Sequence, residues 1–142
     1  MNRDNYKGIG IKLTPQRIAI LECLEGNTKH PSAEDIYHKV SGKFPTMSLA
    51  TVYNTLDTLK KLGKLSELKV DADKKRFDPN IKPHHHLICL NCRKVHDIHI
   101  DFDPPIPQKQ KKGFRITGNH IEFYGICRDC NGRRPVKTDT RC

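Results

Sequence analysis

Four cysteines fall in two Cys-x-x-Cys pairs, Cys89-Leu90-Asn91-Cys92 and Cys127-Arg128-Asp129-Cys130. Each pair presents two thiolates from one tight turn, and two such turns facing each other make a tetrahedral sulfur site that selects zinc. Four protein sulfurs leave no position for a catalytic water, so the site is expected to be structural. Zinc binding of this kind contributes on the order of 10–16 kcal/mol in small peptides, comparable with the stability of a whole domain. The competing reading is free or redox-active thiols; one redox Cys-x-x-Cys is common, but two are not. Of the six cysteines in the chain, Cys23 lies among helix apolar residues and is read as packing, and Cys142 as an incidental terminal thiol.

A second constellation uses different chemistry. Asp78, His84, His86 and Asp97 gather near one stretch of the chain, and strand alternation puts His84 and His86 on one face, two residues apart. Histidine with carboxylate suits iron(II) or manganese(II) rather than a second thiolate zinc site. The bland alternative for the His84-His85-His86 run is a solvated surface patch. His99, Asp101 and Asp103 share a strand face with Asp97 and are read as a solvated polar face, against the alternative that one of them substitutes for a ligand.

Composition limits what can hold these groups in place. The chain has 142 residues, is 35% hydrophobic and carries 26 Lys plus Arg against 16 Asp plus Glu, a formal charge of +10. That allows one medium domain or two small ones, neither with a large core, so staples are needed. The charge favours an acidic partner such as nucleic acid or an anionic membrane surface. No apolar run approaches a membrane span or a signal-peptide core, and the expectation is a soluble, unprocessed, cytoplasmic protein without a membrane partner. In that reducing compartment the paired cysteines read as metal ligands.

The positioning elements can be read from caps and periodicity. Thr14 caps a helix with Pro15 in its first turn and apolar Ile18, Leu21 and Leu24, ended by Gly26-Asn27. A second helix begins at Ser32 with Ile36 and Val40 on one side. A third begins at Ser48 and runs through Leu49, Val52, Leu56, Leu59 and Leu62 to Gly63. Leu65–Val70, the turn Asp71-Ala72-Asp73 and the return Lys74–Asp78 read as a β-hairpin, and helices followed by a hairpin suggest a winged helix. After a Pro-flanked connection the pattern becomes strand-like: His84–Ile88, Val95–Ile100 and Ile121–Ile126, with a helix between about Ile106 and Lys112. The chain is therefore predicted to be α+β, with an N-terminal winged-helix DNA-binding domain over 1–79, a hinge at 80–83, an α/β metal-binding domain with the four-cysteine zinc site over 84–130, and a basic, disordered tail over 131–142.

In the third helix the buried Leu and Val stripe leaves Ala50, Thr51, Asn54, Asp57 and Thr58 outward near its start, where a recognition helix meets the major groove. Asn can bond an adenine edge in two places and the methyls of Ala and Thr suit thymine, so an A·T-rich double-stranded site is expected. Lys12 is assigned to the minor groove and Arg17 to a phosphate, against the alternative of ordinary surface charge.

The order of residues resembles the ferric uptake regulator family over nearly the whole chain: Leu13-Thr14-Pro15-Gln16-Arg17, His30-Pro31-Ser32-Ala33, Ser48-Leu49-Ala50-Thr51-Val52-Tyr53, Arg76-Phe77-Asp78, His84-His85-His86-Leu87-Ile88-Cys89 and Tyr124-Gly125-Ile126-Cys127. The resemblance implies that the second domain dimerises, that the regulatory ligands are His30, Asp78, His84, His86 and Asp97, and that Tyr53 joins Asn54 on DNA. It implies a homodimeric repressor on a palindromic operator, with structural zinc and regulatory iron(II) or manganese(II), and not an enzyme. Iron-sensing relatives typically carry Glu where this chain has Asp97 and Arg where it has Asn54, so the peroxide-stress-sensing branch is favoured. A further metal site of iron sensors would need an Asp where His85 stands and a Glu where Pro104 stands, and is expected to be missing.

Since His30 belongs to one half and His84, His86 and Asp97 to the other, a bound ion would fix the angle between two rigid bodies and with it the spacing of the recognition helices. The resemblance also implies that peroxide acts through iron(II)-catalysed oxidation of a ligand imidazole, His30 or His84, whereas the manganese form resists. Two alternatives stay open: an iron- or zinc-availability sensor of the same family, and an enzyme using the His and Asp site as a non-haem iron or hydrolytic centre, against which stands the lack of any substrate-pocket signature.

Overall fold

Each helix in the first part of the chain starts on a hydroxyl residue that supplies an acceptor for an N–H group the helix itself cannot pair. In this computed structural model, which describes residues 6–70 and 72–132, helix α1 (Pro15–Leu24) begins at Thr14, whose side chain accepts from the Arg17 N–H at 3.2 Å. Helix α2 (Ala33–Ser41) begins with a reciprocal capping box. Ser32 Oγ accepts from the Asp35 N–H at 3.1 Å, and the Asp35 carboxylate accepts from the Ser32 N–H at 2.9 Å. Helix α3 (Leu49–Lys61) begins at Ser48, which accepts from the Thr51 N–H at 3.1 Å. Gly63 then leaves α3 at φ +66°, a left-handed turn that L side chains adopt only with strain.

The apolar stripes converge as their spacing predicts. Ile18, Ile20 and Leu24 of α1, Ile36 and Val40 of α2, and Val52, Leu56 and Leu59 of α3 are buried in one core with Phe77. Each such side chain contributes about 1.5–3 kcal/mol by leaving water. Cys23 is buried in the same core, and burial pushes its thiol pKa up, so it packs as a small hydrophobe. Leu62 departs from the expected stripe: it is the C-cap of α3, where the chain has already unwound toward Gly63, and is 41% exposed.

A wing follows. Strands β1 (Ser66–Leu68) and β2 (Arg76–Asp78) pair antiparallel with Ser66 opposite Asp78, shorter than the Leu65–Val70 and Lys74–Asp78 runs that the sequence suggests. Asp71, in the expected turn, lies outside the described residues. Phe77 N–H donates to the Pro31 carbonyl at 2.9 Å and Arg76 bridges to Ser32, which ties β2 to the start of α2.

The chain divides into two compact units, Met1–Lys82 and Pro83–Cys142. In the second, β3 (His85–Cys89) is the central strand, with β4 (Val95–Ile98) antiparallel on one side and β5 (Glu122–Gly125) parallel on the other. A parallel neighbour cannot be reached by a hairpin, so the 99–121 connection must cross over. It contains α4 (Gln108–Lys111), one turn long, where a helix over about 106–112 was expected; Lys112 at φ 47° and Gly113 at φ +79° end it. Strand β4 stops at Ile98 rather than Ile100, and His84 precedes β3 instead of lying in it. Few apolar side chains are buried here, chiefly Ile88 and Val95 beside Cys89 and Cys130. The expected tail beyond Gly132, Cys142 included, lies outside the described residues. Among the described residues, no helix is long and apolar enough to cross a membrane.

Candidate metal centres and nucleic-acid face

The end of β3 and the turn after it deliver Cys89 and Cys92, and the turn after β5 delivers Cys127 and Cys130. One ligand atom from each lies within 4.8 Å of all the others. The first knuckle is closed by Arg93 N–H to the Cys89 carbonyl at 2.9 Å, with Arg93 at φ 60°; the second by Cys130 N–H to the Cys127 carbonyl at 3.0 Å. Leu90 N–H donates to the Gly125 carbonyl at 2.8 Å, which holds the knuckles together through the β3–β5 pairing.

The sulfur geometry suits zinc. Thiolates about 2.3 Å from a tetrahedral ion stand about 3.8 Å apart, and Cys92 Sγ lies 3.7 Å from Cys127 Sγ. The cysteines are thiols, not disulfides. Backbone N–H groups of Cys92 and Cys127 point at Cys89 Sγ at 3.5 and 3.3 Å and pull its pKa down to about 6. Burial, reinforced by the neighbouring thiols, pushes Cys130 up to about 12. Four clustered sulfurs cannot all be anionic without a cation among them, and zinc supplies that charge. Lys94 Nζ reaches Asp129 Oδ2 at 3.0 Å, an ion pair between the β4 side and the second knuckle.

The His and Asp donors form one set in each unit. In the first, His30 Nε2 is 3.5 Å from Asp78 Oδ2, and both residues are buried. His30 sits at φ 51°, a left-handed backbone that His tolerates better than most residues, at a cost of about 1–3 kcal/mol. Its carbonyl accepts from Arg76 Nε at 2.7 Å, and Asp78 Oδ1 accepts from the Asn80 N–H at 2.8 Å. In the second unit, Asp97 lies opposite His86 in the β3–β4 register. Asp97 Oδ1 is 3.5 Å from His84 Nε2 and 3.6 Å from His86 Nε2, and the two rings stand 4.6 Å apart at 76°. Donors about 2.1 Å from a common ion stand about 3.0–3.5 Å apart, so these separations suit ligation. Nitrogen and carboxylate donors without sulfur suit iron(II) or manganese(II) as the regulatory metal.

His85 behaves differently from its neighbours. Its Nδ1 accepts from the Ile121 N–H at 3.1 Å, so that nitrogen is spent on the backbone. His99 is exposed and approaches His84 only ring to ring, at 5.6 Å. Sequence reasoning overlooked His120, whose Nε2 lies 2.8 Å from His86 Nδ1. Desolvation, with the nearby His86, holds the His120 pKa below the usual imidazole range. No spacing signal marks it, because 34 residues separate the two histidines.

On α3, Ala50, Asn54 and Asp57 are exposed as the helical stripe predicts, whereas Thr51 and Thr58, expected outward, are half-buried, as is Tyr53. Thr51 Oγ1 pairs with Ser48 Oγ at 2.9 Å and Thr58 Oγ1 donates to the Asn54 carbonyl at 2.7 Å. Tyr53 has a partner the sequence did not reveal: its hydroxyl donates to Glu34 Oε1 of α2 at 2.9 Å, which aims the ring. Lys12 is exposed, and Arg17 Nη1 donates to its carbonyl at 2.9 Å.

Residues 8–124 match the family model described as the ferric uptake regulator family. The chain is 40% identical over 130 residues to the peroxide operon regulator of Bacillus subtilis, covering 90% of each protein. It is 38% identical over 123 residues to the peroxide-responsive repressor PerR of Staphylococcus epidermidis, covering 85% of this chain and 82% of that one. Among solved structures, the ferric uptake regulator of Francisella tularensis with iron aligns at a TM-score of 0.70 and 28% identity, over 88% of this chain and 98% of the other. A sulfur site suited to structural zinc, a His and Asp donor set suited to a regulatory metal, and a family match over most of the sequence agree: the chain belongs to the ferric uptake regulator family.

Proposed function

We propose that the chain is a homodimeric, metal-dependent DNA-binding repressor of the cytoplasm that senses peroxide through oxidation of its own ligand histidines. The observation that carries the reading is the donor set: buried His30 with Asp78, and His84 and His86 with Asp97, apart from a sulfur cluster that already suits zinc. Each half offers fewer donors than iron(II) or manganese(II) accepts, so one ion drawing on all five is the economical assignment. Asp at position 97 and the likeness to relatives named as peroxide regulators favour the peroxide branch over metal-availability sensing.

In this reading residues 1–79 bind DNA, 80–83 act as the hinge and 84–130 dimerise. Ala50, Thr51, Tyr53 and Asn54 meet an A·T-rich palindromic operator, with Lys12 at the minor groove and Arg17 at a phosphate. Support for the dimer comes from β5, an edge strand of its sheet with Phe123 and Tyr124 exposed. His30 and Asp78 on one side of the hinge, and His84, His86 and Asp97 on the other, hold the two units at one angle when loaded and so set the spacing of the two copies of α3. Small-angle scattering of the zinc-loaded dimer, with and without manganese(II), should then register a change of shape; identical profiles would remove hinge locking.

Iron(II), when bound, supplies the one-electron cleavage of the peroxide O–O bond that manganese(II) does not. The net change falls on the imidazole of His30 or His84. One peroxide oxygen enters a ring C–H bond, two electrons leave the ring, and the other oxygen departs as water. The altered ring no longer offers its nitrogen in the same way, and DNA is released. Anisotropy on the operator with the iron(II) and manganese(II) forms tests this, before and after equimolar peroxide. Release from the iron form alone, with one added oxygen on the His30 or His84 peptide by mass spectrometry, is expected. Retention by both forms would make the protein a metal-availability sensor.

A further inference from the structure

The regulatory donors in the second unit have a neighbour that no ligand set includes. His86 is buried, its Nε2 is directed at Asp97 Oδ1 at 3.6 Å, and its other ring nitrogen, Nδ1, lies 2.8 Å from His120 Nε2. The two rings meet edge to face, with centroids 5.0 Å apart at 61°. A histidine that gives its Nε2 lone pair to a metal carries its proton on Nδ1, and a proton buried there needs an acceptor. His120 Nε2 is at hydrogen-bond distance to be that acceptor, with its own proton on Nδ1.

We propose that His120 is a positioning residue of the regulatory metal site: by accepting from His86 Nδ1–H it fixes the His86 tautomer and ring orientation so that Nε2 is presented to the ion. This rests on the reading of His84, His86 and Asp97 as ligands. His120 itself is not a ligand. It faces a ring nitrogen rather than the shared carboxylate, and it stands outside both donor groups found among the described residues.

The backbone around His120 is held at both ends of the strand that follows it. Ile121 is fixed twice: its N–H donates to His85 Nδ1 at 3.1 Å and its carbonyl accepts from the His86 N–H at 3.1 Å. Beyond Ile121, β5 runs on to Cys127, so the sulfur site anchors the far end of the strand that follows His120. His85 is thus a scaffold for the position of His120, which accounts for a buried imidazole between two ligand histidines.

Loss of an outer hydrogen-bond partner of a ligand histidine typically weakens metal affinity about 10–100-fold. Manganese(II) binding to the zinc-loaded full chain, followed by the free-ion electron paramagnetic resonance signal, should weaken by about that factor in His120→Ala with stoichiometry unchanged. His120→Asn, whose amide oxygen can accept, should recover most of it. Nitrogen-15 NMR of the zinc-loaded protein without manganese should find the His86 proton on Nδ1 in the original chain and redistributed toward Nε2 in His120→Ala. Unchanged affinity and tautomer in His120→Ala would overturn the proposal. Loss of a whole manganese equivalent would make His120 a ligand instead, and equal weakening in both variants would make its role merely structural. If the original chain binds no manganese beyond its zinc, or His86→Ala binds as well as the original, the ligand assignment fails; the tautomer measurement, made without that metal, still judges His120.

Discussion

The two units of this chain solve the same problem of stability with different physics. The first gathers apolar side chains from three capped helices and the wing into one core, in which Ile18, Ile20, Val52, Leu56 and Phe77 are almost entirely removed from water. The second buries little beyond Ile88 and Val95 and leaves Leu87, Ile100, Phe102, Phe114, Phe123, Tyr124 and Ile126 exposed. A segment that small cannot offset its chain entropy by apolar burial alone. In the proposed reading, a sulfur-bound ion and a second copy set against the edge strand β5 supply what its core does not. The helical half therefore has the burial of a conventional hydrophobic fold, while the half that carries the sulfur site is expected to depend on metal for its integrity.

Removing zinc should give the largest effect and the sharpest contrast. Chelation, or Cys130→Ser, forfeits a binding energy on the order of 10 kcal/mol, so β3–β5 should lose hydrogen-exchange protection while α1–α3 keep theirs. Collapse of both would mean that the first unit is not self-sufficient. The reciprocal experiment is Leu56→Ala, which opens a cavity in the helical core and should cost about 2–5 kcal/mol in denaturant unfolding, with bound zinc unchanged. Next in size is Phe123→Asp on the open edge of β5. It should raise the dimer dissociation constant by roughly one to two powers of ten in sedimentation, about 1–3 kcal/mol, without altering the melting of the first unit. The smallest effect concerns pH. The hydrogen bond from Lys60 holds the Glu67 carboxyl below its usual range, with Lys75 adding to it. The stability it contributes is therefore full above the unfolded pKa of about 4.3 and is lost as pH falls through the lower folded value. Glu67→Gln should flatten that part of the acid limb of the first unit by at most about 1 kcal/mol, as a partly exposed pair allows.

Much of the architecture was legible because it is encoded at short range. Thr14 caps the helix it was expected to cap, the next two helices start where Ser32 and Ser48 were expected to start them, and the wing hairpin follows α3. Leu62 misled because a periodic stripe does not reveal where a helix unwinds, and Gly63 stops α3 one position too early to bury it. The parallel pairing of β5 was not legible: a strand pattern gives its faces but not its neighbour. Tyr53 read as a DNA contact, yet its link to Glu34 depends on how α2 lies against α3.

His30 was named only by the family resemblance, whereas local spacing was enough to mark the paired cysteines with two thiolates per turn, the two imidazoles of His84 and His86 on one face, and a hydroxyl at each helix start. These follow from a chain of fixed bond lengths and turn periods. Which distant residue stands behind each donor was settled by the folded chain alone. Folding brought the two knuckles together, set Asp97 opposite His86, turned His85 to the Ile121 backbone and carried His120 to His86 across 34 residues. Such contacts depend on the return path of the chain, which is fixed by long-range pairing and burial and leaves no mark in any local pattern.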